Sequence, residues 1–179
     1  MLETQIAVFG AGCFWCVEAI FMMLGGVISV EPGYAGGTVA NPSYEEVCSQ
    51  STGHAEVVKI EFDPQIISYE KLLEVFWESH DPTTLYRQGP DIGKQYRSVI
   101  FYVNDAQKAL AEKYKRKLDE SGIFSDPIVT EIEPLDKFYP AENYHRQYFE
   151  RNKNQPYCRY HIAPKVEKFK TVFKDIIKK

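Results

Sequence analysis

One short turn does most to limit what this chain can become: Gly10-Ala11-Gly12-Cys13-Phe14-Trp15-Cys16. The apolar run Ile6–Phe9 precedes it, and Val17, Ala19, Ile20 and Met23 follow at helical spacing. A strand therefore hands over to a helix at the glycine pair, with Cys13 in the first turn of that helix. Backbone N–H groups there lack intrahelical partners and favour negative charge, so the thiol is expected to ionise more easily than a free one. The thiolate is the nucleophilic form. Two large aromatics beside such a turn are unusual unless they wall a small apolar pocket. A single cysteine at a helix start is more often packing than chemistry. A second one at helix-turn spacing, behind a Gly-x-Gly turn, shifts the balance.

Downstream the same alternation repeats. Gly25-Gly26 end the first helix and Val27–Tyr34 reads as a strand. Ser43 is placed to cap a short helical piece through Val47, and Val57–Phe62 has the two-residue period of a strand. Ser68 caps a helix with Leu72, Leu73, Val75, Phe76 and Trp77 on a broad apolar stripe, ending near His80-Asp81-Pro82. A polar loop from Pro82 to Gln95 precedes a strand over Arg97–Val103, and Asn104 or Asp105 caps a helix to about Glu120. Ile128–Ile132 reads as a strand, and Glu142–Arg151 and Val166–Ile177 as helices. This order predicts an α+β fold: a two-layer ferredoxin-like sandwich whose mixed sheet carries helices on one face, followed by a long C-terminal segment. No repeat or linker interrupts it, so residues 1–179 are expected to form a single domain.

With 44% hydrophobic and 26% charged residues, the chain has the composition of an ordinary globular protein. A net charge of −4 without a basic stripe argues against nucleic acid as a partner. The terminal lysines read as the solvated face of a last helix. No apolar run reaches membrane-spanning length, and Met-Leu-Glu-Thr is no charged-then-apolar signal; a cytoplasmic location and no membrane partner are expected. Four cysteines are too few for a disulfide scaffold. Cys13-x-x-Cys16 has metal-ligand spacing, but no second close pair follows, so no metal is expected.

Several further blocks carry polar residues that packing does not explain. These are Thr52-Gly53-His54-Ala55-Glu56, then Gly89-Pro90-Asp91-Ile92-Gly93-Lys94-Gln95-Tyr96-Arg97-Ser98, Phe138-Tyr139-Pro140-Ala141-Glu142-Asn143-Tyr144-His145, and Gln155-Pro156-Tyr157-Cys158. Together with the cysteine turn, in this order and spacing, they make the chain resemble the A-type peptide methionine sulfoxide reductases over almost its whole length. The resemblance implies reduction of the S epimer of methionine sulfoxide, free or in proteins, by a cysteine recycled through thioredoxin, with no cofactor.

Sulfoxide chemistry fits these residue types. The sulfur is a poor electrophile until its oxygen is protonated or strongly hydrogen-bonded, so a thiolate must face acid or hydroxyl donors. Cys13 supplies the thiolate. Glu56 resembles the family's acid, and Tyr44 and Tyr96 its hydroxyl donors; without the resemblance Glu56 would be a solvent-facing strand residue and the tyrosines half-buried packing. Phe14 and Trp15 match the apolar cage for the substrate methyl. Asp91, His145, Tyr148 and Tyr157 align with positions around the family's pocket, and His54 reads as orienting its loop.

Turnover leaves Cys13 as a sulfenic acid, which a second thiol must resolve. Many family members have Gly where this chain has Cys16 and rely on cysteines near the C-terminus. Here Cys16 and Cys158 are both candidates. Proximity within one helical turn favours Cys16, with Cys158 as a second relay or as the resolving residue itself. Cys48 reads as structural. A rival function, general thiol–disulfide exchange at Cys13-x-x-Cys16, gives the two aromatics no task, and a binding module for oxidised methionine gives none to Cys13 and Glu56. A monomer is expected.

Overall fold

A computed structural model describes residues 3–179. A six-stranded sheet forms its frame, in the order β7-β6-β1-β3-β2-β8. Its strands are β1 (Gln5–Ala11), β2 (Val27–Ala35), β3 (Ala55–Phe62), β6 (Ser98–Tyr102), β7 (Glu131–Pro134) and β8 (Phe138–Pro140). All neighbours are antiparallel except β6 and β7. A separate two-stranded hairpin pairs β4 (Arg87–Gln88) with β5 (Asp91–Ile92).

Alternation along the strands sorts the two faces. Ala7, Phe9 and Ala11 of β1, Val58, Ile60 and Phe62 of β3, and Tyr34 of β2 point into the main core. That core is closed by α1 (Phe14–Met22), α3 (Tyr69–Glu78), α4 (Asp105–Ser121) and α6 (Ala163–Val172). Val8, Ala35, Ala55, Val57, Val99 and Phe101 face the other way, under Ile6, Leu135 and Phe138. The architecture is therefore mixed α+β, with the helices packed on one side of a mixed sheet.

The predicted caps form. The Ser43 hydroxyl accepts from Glu46 N while the Glu46 carboxylate accepts from Ser43 N, a reciprocal box at the start of α2 (Tyr44–Cys48). Ser68 caps α3, and Asn104 rather than Asp105 caps α4. Four local expectations are corrected. Ile128 N and Val129 N bond Asp119 Oδ1 and Pro82 O, so the strand expected at Ile128 begins only at Glu131. The helix expected over Glu142–Arg151 is broken into a 3₁₀ turn, Asn143–His145, a left-handed Gln147 and one turn of α5 (Tyr148–Arg151). Phe138–Pro140, which the sequence reading placed in no strand, pairs with β2 as an edge strand. The last helix starts at Ala163, after a wide π-type turn over Cys158–Ile162, and stops at Val172; Ile177 instead bridges to Leu24. Among the described residues no helix is long and apolar enough to cross a membrane.

Candidate active site

β1 delivers the chain to the turn read from the sequence. Gly12 has φ +96°, and a Cβ there would lie 2.7 Å from Gln88 Cγ, so only glycine lets the β4–β5 hairpin pack against the turn. Cys13 is the N-cap residue of α1, and its carbonyl accepts from Cys16 N and Val17 N. The thiol is almost fully buried. Here the structure corrects the sequence expectation of easy ionisation. Burial pushes the Cys13 thiol well above its ordinary value, the Glu56 and Asp91 carboxylates add to this, and only the Trp15 backbone amide opposes it. Phe14 N, one of the free amides expected to attract the thiolate, is spent on Glu56 Oε1 at 3.1 Å.

Glu56 reaches that amide because of strand parity. It lies on β3 opposite Tyr34 and two residues before Val58, so it shares the core-facing side instead of pointing to water. It is 1% exposed, and its second oxygen, Oε2, has no hydrogen-bond partner. Burial, with the Asp91 charge adding to it, raises the carboxyl from 4.5 to about 8 against the opposing Phe14 N–H. Near neutral pH it holds a proton.

Three phenols converge on the same volume. Burial and the Glu56 carboxylate keep Tyr44 and Tyr96 protonated far above the ordinary tyrosine range, with the Cys13 thiol adding to the effect at Tyr96. Tyr44 also contacts the Cys48 thiol through its hydroxyl. Tyr157 donates its hydroxyl proton to Asp91 Oδ2 and lies within hydrogen-bonding range of Cys13. Asp91, at the end of the hairpin, is raised by burial while Tyr157, His161 and Lys165 oppose the shift.

The aromatics form a continuous wall. Trp15 stacks on Tyr148 with ring centroids 3.8 Å apart and planes within 10°, and meets Tyr157 edge-on at 5.8 Å. Its indole Nε1–H donates to His145 Nδ1 at 2.9 Å. His145 is fully buried, and burial lowers its basicity while the Glu142 and Glu45 carboxylates oppose the shift; with Nδ1 accepting from the indole, the ring N–H lies on Nε2. Its ring lies against Phe14 at 4.9 Å and Tyr44 at 4.6 Å, and Phe14 continues to Tyr34 at 5.7 Å. A buried thiol, a protonated carboxyl with a free oxygen, neutral phenols and an aromatic wall thus share one end of the sheet.

The sequence profile of the peptide methionine sulfoxide reductases matches residues 5–177. The chain belongs to that family. A peptide methionine sulfoxide reductase of Saccharolobus solfataricus is 52% identical over 174 residues, covering 97% of each chain. The reduced form of Mxr1 from Saccharomyces cerevisiae superposes with a TM-score of 0.81 at 33% identity, covering 87% of this chain and 90% of that one. The same yeast protein in complex with Trx2 agrees in fold, with a TM-score of 0.58 at 24% identity over 82% and 85% of the two chains.

In this reductase the site residues expected from the sequence gather at one place except the two cysteines offered as resolving residues, which pack into the core. Cys16 and Cys158 are buried in the main core, and all four cysteines are free thiols. The Cys16 thiol is close enough to Cys13 to influence its ionisation. His54 bridges Gly37 N and Val39 O, the loop-orienting position expected of it. Three residues were missed. Tyr34 is the site's floor, and Glu142 gathers Tyr34 Oη, Tyr44 N and Tyr144 Oη around one carboxylate. Glu18 is the only charged residue of α1, in the stretch Phe-Trp-Cys-Val-Glu-Ala-Ile-Phe-Met, and a lone carboxylate in an apolar helix was the available signal. A cavity of about 650 Å³ between α3, α4 and α6, lined in part by His80 and Trp77, is separate from the site.

Proposed function

We propose that this reductase converts methionine S-sulfoxide to methionine at Cys13, with Glu56 as the proton donor. One observation carries the assignment: a carboxyl raised to about 8, with one oxygen free, beside a nucleophile at a helix N-cap. Phe14 and Trp15 enclose the substrate methyl, and Tyr148, Tyr157, His145 and Asp91 shape the pocket around it. Tyr44 and Tyr96 donate to the sulfoxide oxygen as charge builds on it.

As Cys13 Sγ attacks the sulfoxide sulfur, the oxygen takes the Glu56 proton and the Cys13 proton replaces it on Glu56. The substrate S–O bond and the new Sγ–S bond then break together: the hydroxyl passes to Cys13 Sγ, and the electron pair of the Sγ–S bond stays on the methionine sulfur. Methionine sulfur gains two electrons, and Cys13 loses two to become a sulfenic acid. This exchange does not require a resting thiolate, which the burial of Cys13 disfavours. Cys16 Sγ next attacks the sulfenic sulfur; an S–S bond forms and water leaves. The dithiol of thioredoxin reduces that bond, with Cys158 able to relay the disulfide outward. The rival general thiol–disulfide exchange leaves Glu56 and the aromatic wall without a task. The strand order β6-β1-β3-β2 around α1 and α3 supports the ferredoxin-like description of the core, and we take the chain to be a single-domain, cytoplasmic monomer. Mixing reduced enzyme with a methionine-sulfoxide peptide without reductant tests the proposal: one methionine per enzyme is expected, and none would overturn it.

A further inference from the structure

We propose that Glu18 is a positioning residue that holds the Tyr148 side of the methyl pocket closed against Trp15. Trp15 and Glu18 are one turn apart on α1, so they lie on the same helix face. Trp15 grips the Tyr148 ring by stacking. Glu18 grips the backbone of the same segment: Oε1 accepts from Gln147 N at 2.7 Å, and the Tyr148 amide lies close enough to favour the charged carboxylate. Gln147 has φ +51°, a left-handed conformation that a side-chain-bearing residue keeps only when its surroundings impose it. Glu18 is 2% exposed in an otherwise apolar helix, an expensive place for a carboxyl. Arg146 and Arg151 are the charged groups nearest it, and Arg151 spends its guanidinium on the carbonyls of Asn143, Tyr144 and Arg146. The amides of Gln147 and Tyr148 are left to Glu18. Without it the left-handed turn relaxes and Tyr148 leaves the indole.

This inference rests on Trp15 walling the substrate pocket, and the two ideas fail differently. If Trp15→Ala leaves KM for a methionine-sulfoxide peptide unchanged, the pocket assignment fails whatever Glu18 does. For Glu18 the test uses a Trp77→Phe background, in which Trp15 is the only remaining indole. Glu18→Leu keeps the volume and removes both acceptors. It is expected to raise KM about tenfold, the effect of losing a charged hydrogen bond, with the single-turnover rate at saturating peptide kept within about threefold. Trp15 emission should change as the stacked phenol departs, and Glu18→Gln, which retains one acceptor oxygen, should restore both readouts most of the way. Lower thermal stability with KM and emission unchanged would make Glu18 a mere tie between α1 and α5 and overturn the proposal. Should Glu18→Leu not fold, hydrogen exchange on the unmodified enzyme decides: the amides of Gln147 and Tyr148 should exchange as slowly as those inside α1, and exchange at the rate of exposed loops would overturn it.

Discussion

Glu56 has two measurable consequences from a single cause, its burial. As a general acid it works only while protonated, so the single-turnover rate should fall as pH rises through about 8. Glu56→Gln keeps the contact with Phe14 N but has no proton to give. A loss of about a hundred- to ten-thousand-fold is expected, with the alkaline limb abolished. A rate within about threefold of the parent would reduce Glu56 to packing. Stability should move oppositely. The folded pKa lies above the ordinary 4.5, so the folded state binds more protons than the unfolded one, and stability declines as pH rises from about 4.5 to about 8. Glu56→Gln should therefore raise the melting midpoint at pH 9 relative to the parent and change it less at pH 4. Cys13→Ser is simpler: serine accepts no oxygen atom from a sulfoxide, so mass spectrometry should find no methionine formed.

Helix α1 sets the problem of resolution at the level of elements. Cys13 caps the helix and Cys16 is inside its first turn, so their separation depends on no tail movement. Cys158 opens the wide turn before α6 and is fully buried, one residue after the site residue Tyr157. Cys16→Ser should form one methionine per enzyme at a near-normal rate but turn over poorly with thioredoxin, and Cys158→Ser should keep more turnover than Cys16→Ser. Tryptic mapping of the oxidised parent should find a Cys13–Cys16 bond. A Cys13–Cys158 bond, with Cys158→Ser as the variant that stalls, would make the turn before α6 the resolving arm.

Across the whole molecule, edge strand β8 couples the sheet to the site. A Cβ on Gly33 would stand 2.3 Å from the Phe138 ring and 2.5 Å from Tyr139 O, contacts that a close-packed interior cannot absorb. Gly33→Ala should push β8 off β2, destabilising the fold by about 1–3 kcal/mol. Just past β8 the chain supplies Glu142 and His145, so KM for substrate should rise as well. Urea unfolding and steady-state kinetics on one preparation check both effects. Unchanged KM with lowered stability would show that the site tolerates movement of the edge.

Local chemistry made much of this protein readable in advance. The Gly-x-Gly turn, the caps at Ser43, Ser68 and Asn104, and the two-residue period of β3 act through neighbours a few residues apart, so their outcome is written in short segments. The motif blocks likewise named the residues that meet at the site. Tertiary structure decided how those residues behave. Whether Glu56 faces water or the core depends on which face of β3 the helices cover, and its raised pKa follows from that choice. Burial likewise reversed the expected ease of ionising Cys13, and one of the helix amides expected to favour a thiolate was taken by a carboxyl 42 positions away. The break at Gln147 also involves a distant partner: in a stretch with helical pattern, the Gln147 amide bonds a carboxylate on α1, 129 residues away. Spacing along a chain carries short-range hydrogen bonding, but desolvation and long-range hydrogen bonds exist only once the sheet has brought distant segments together.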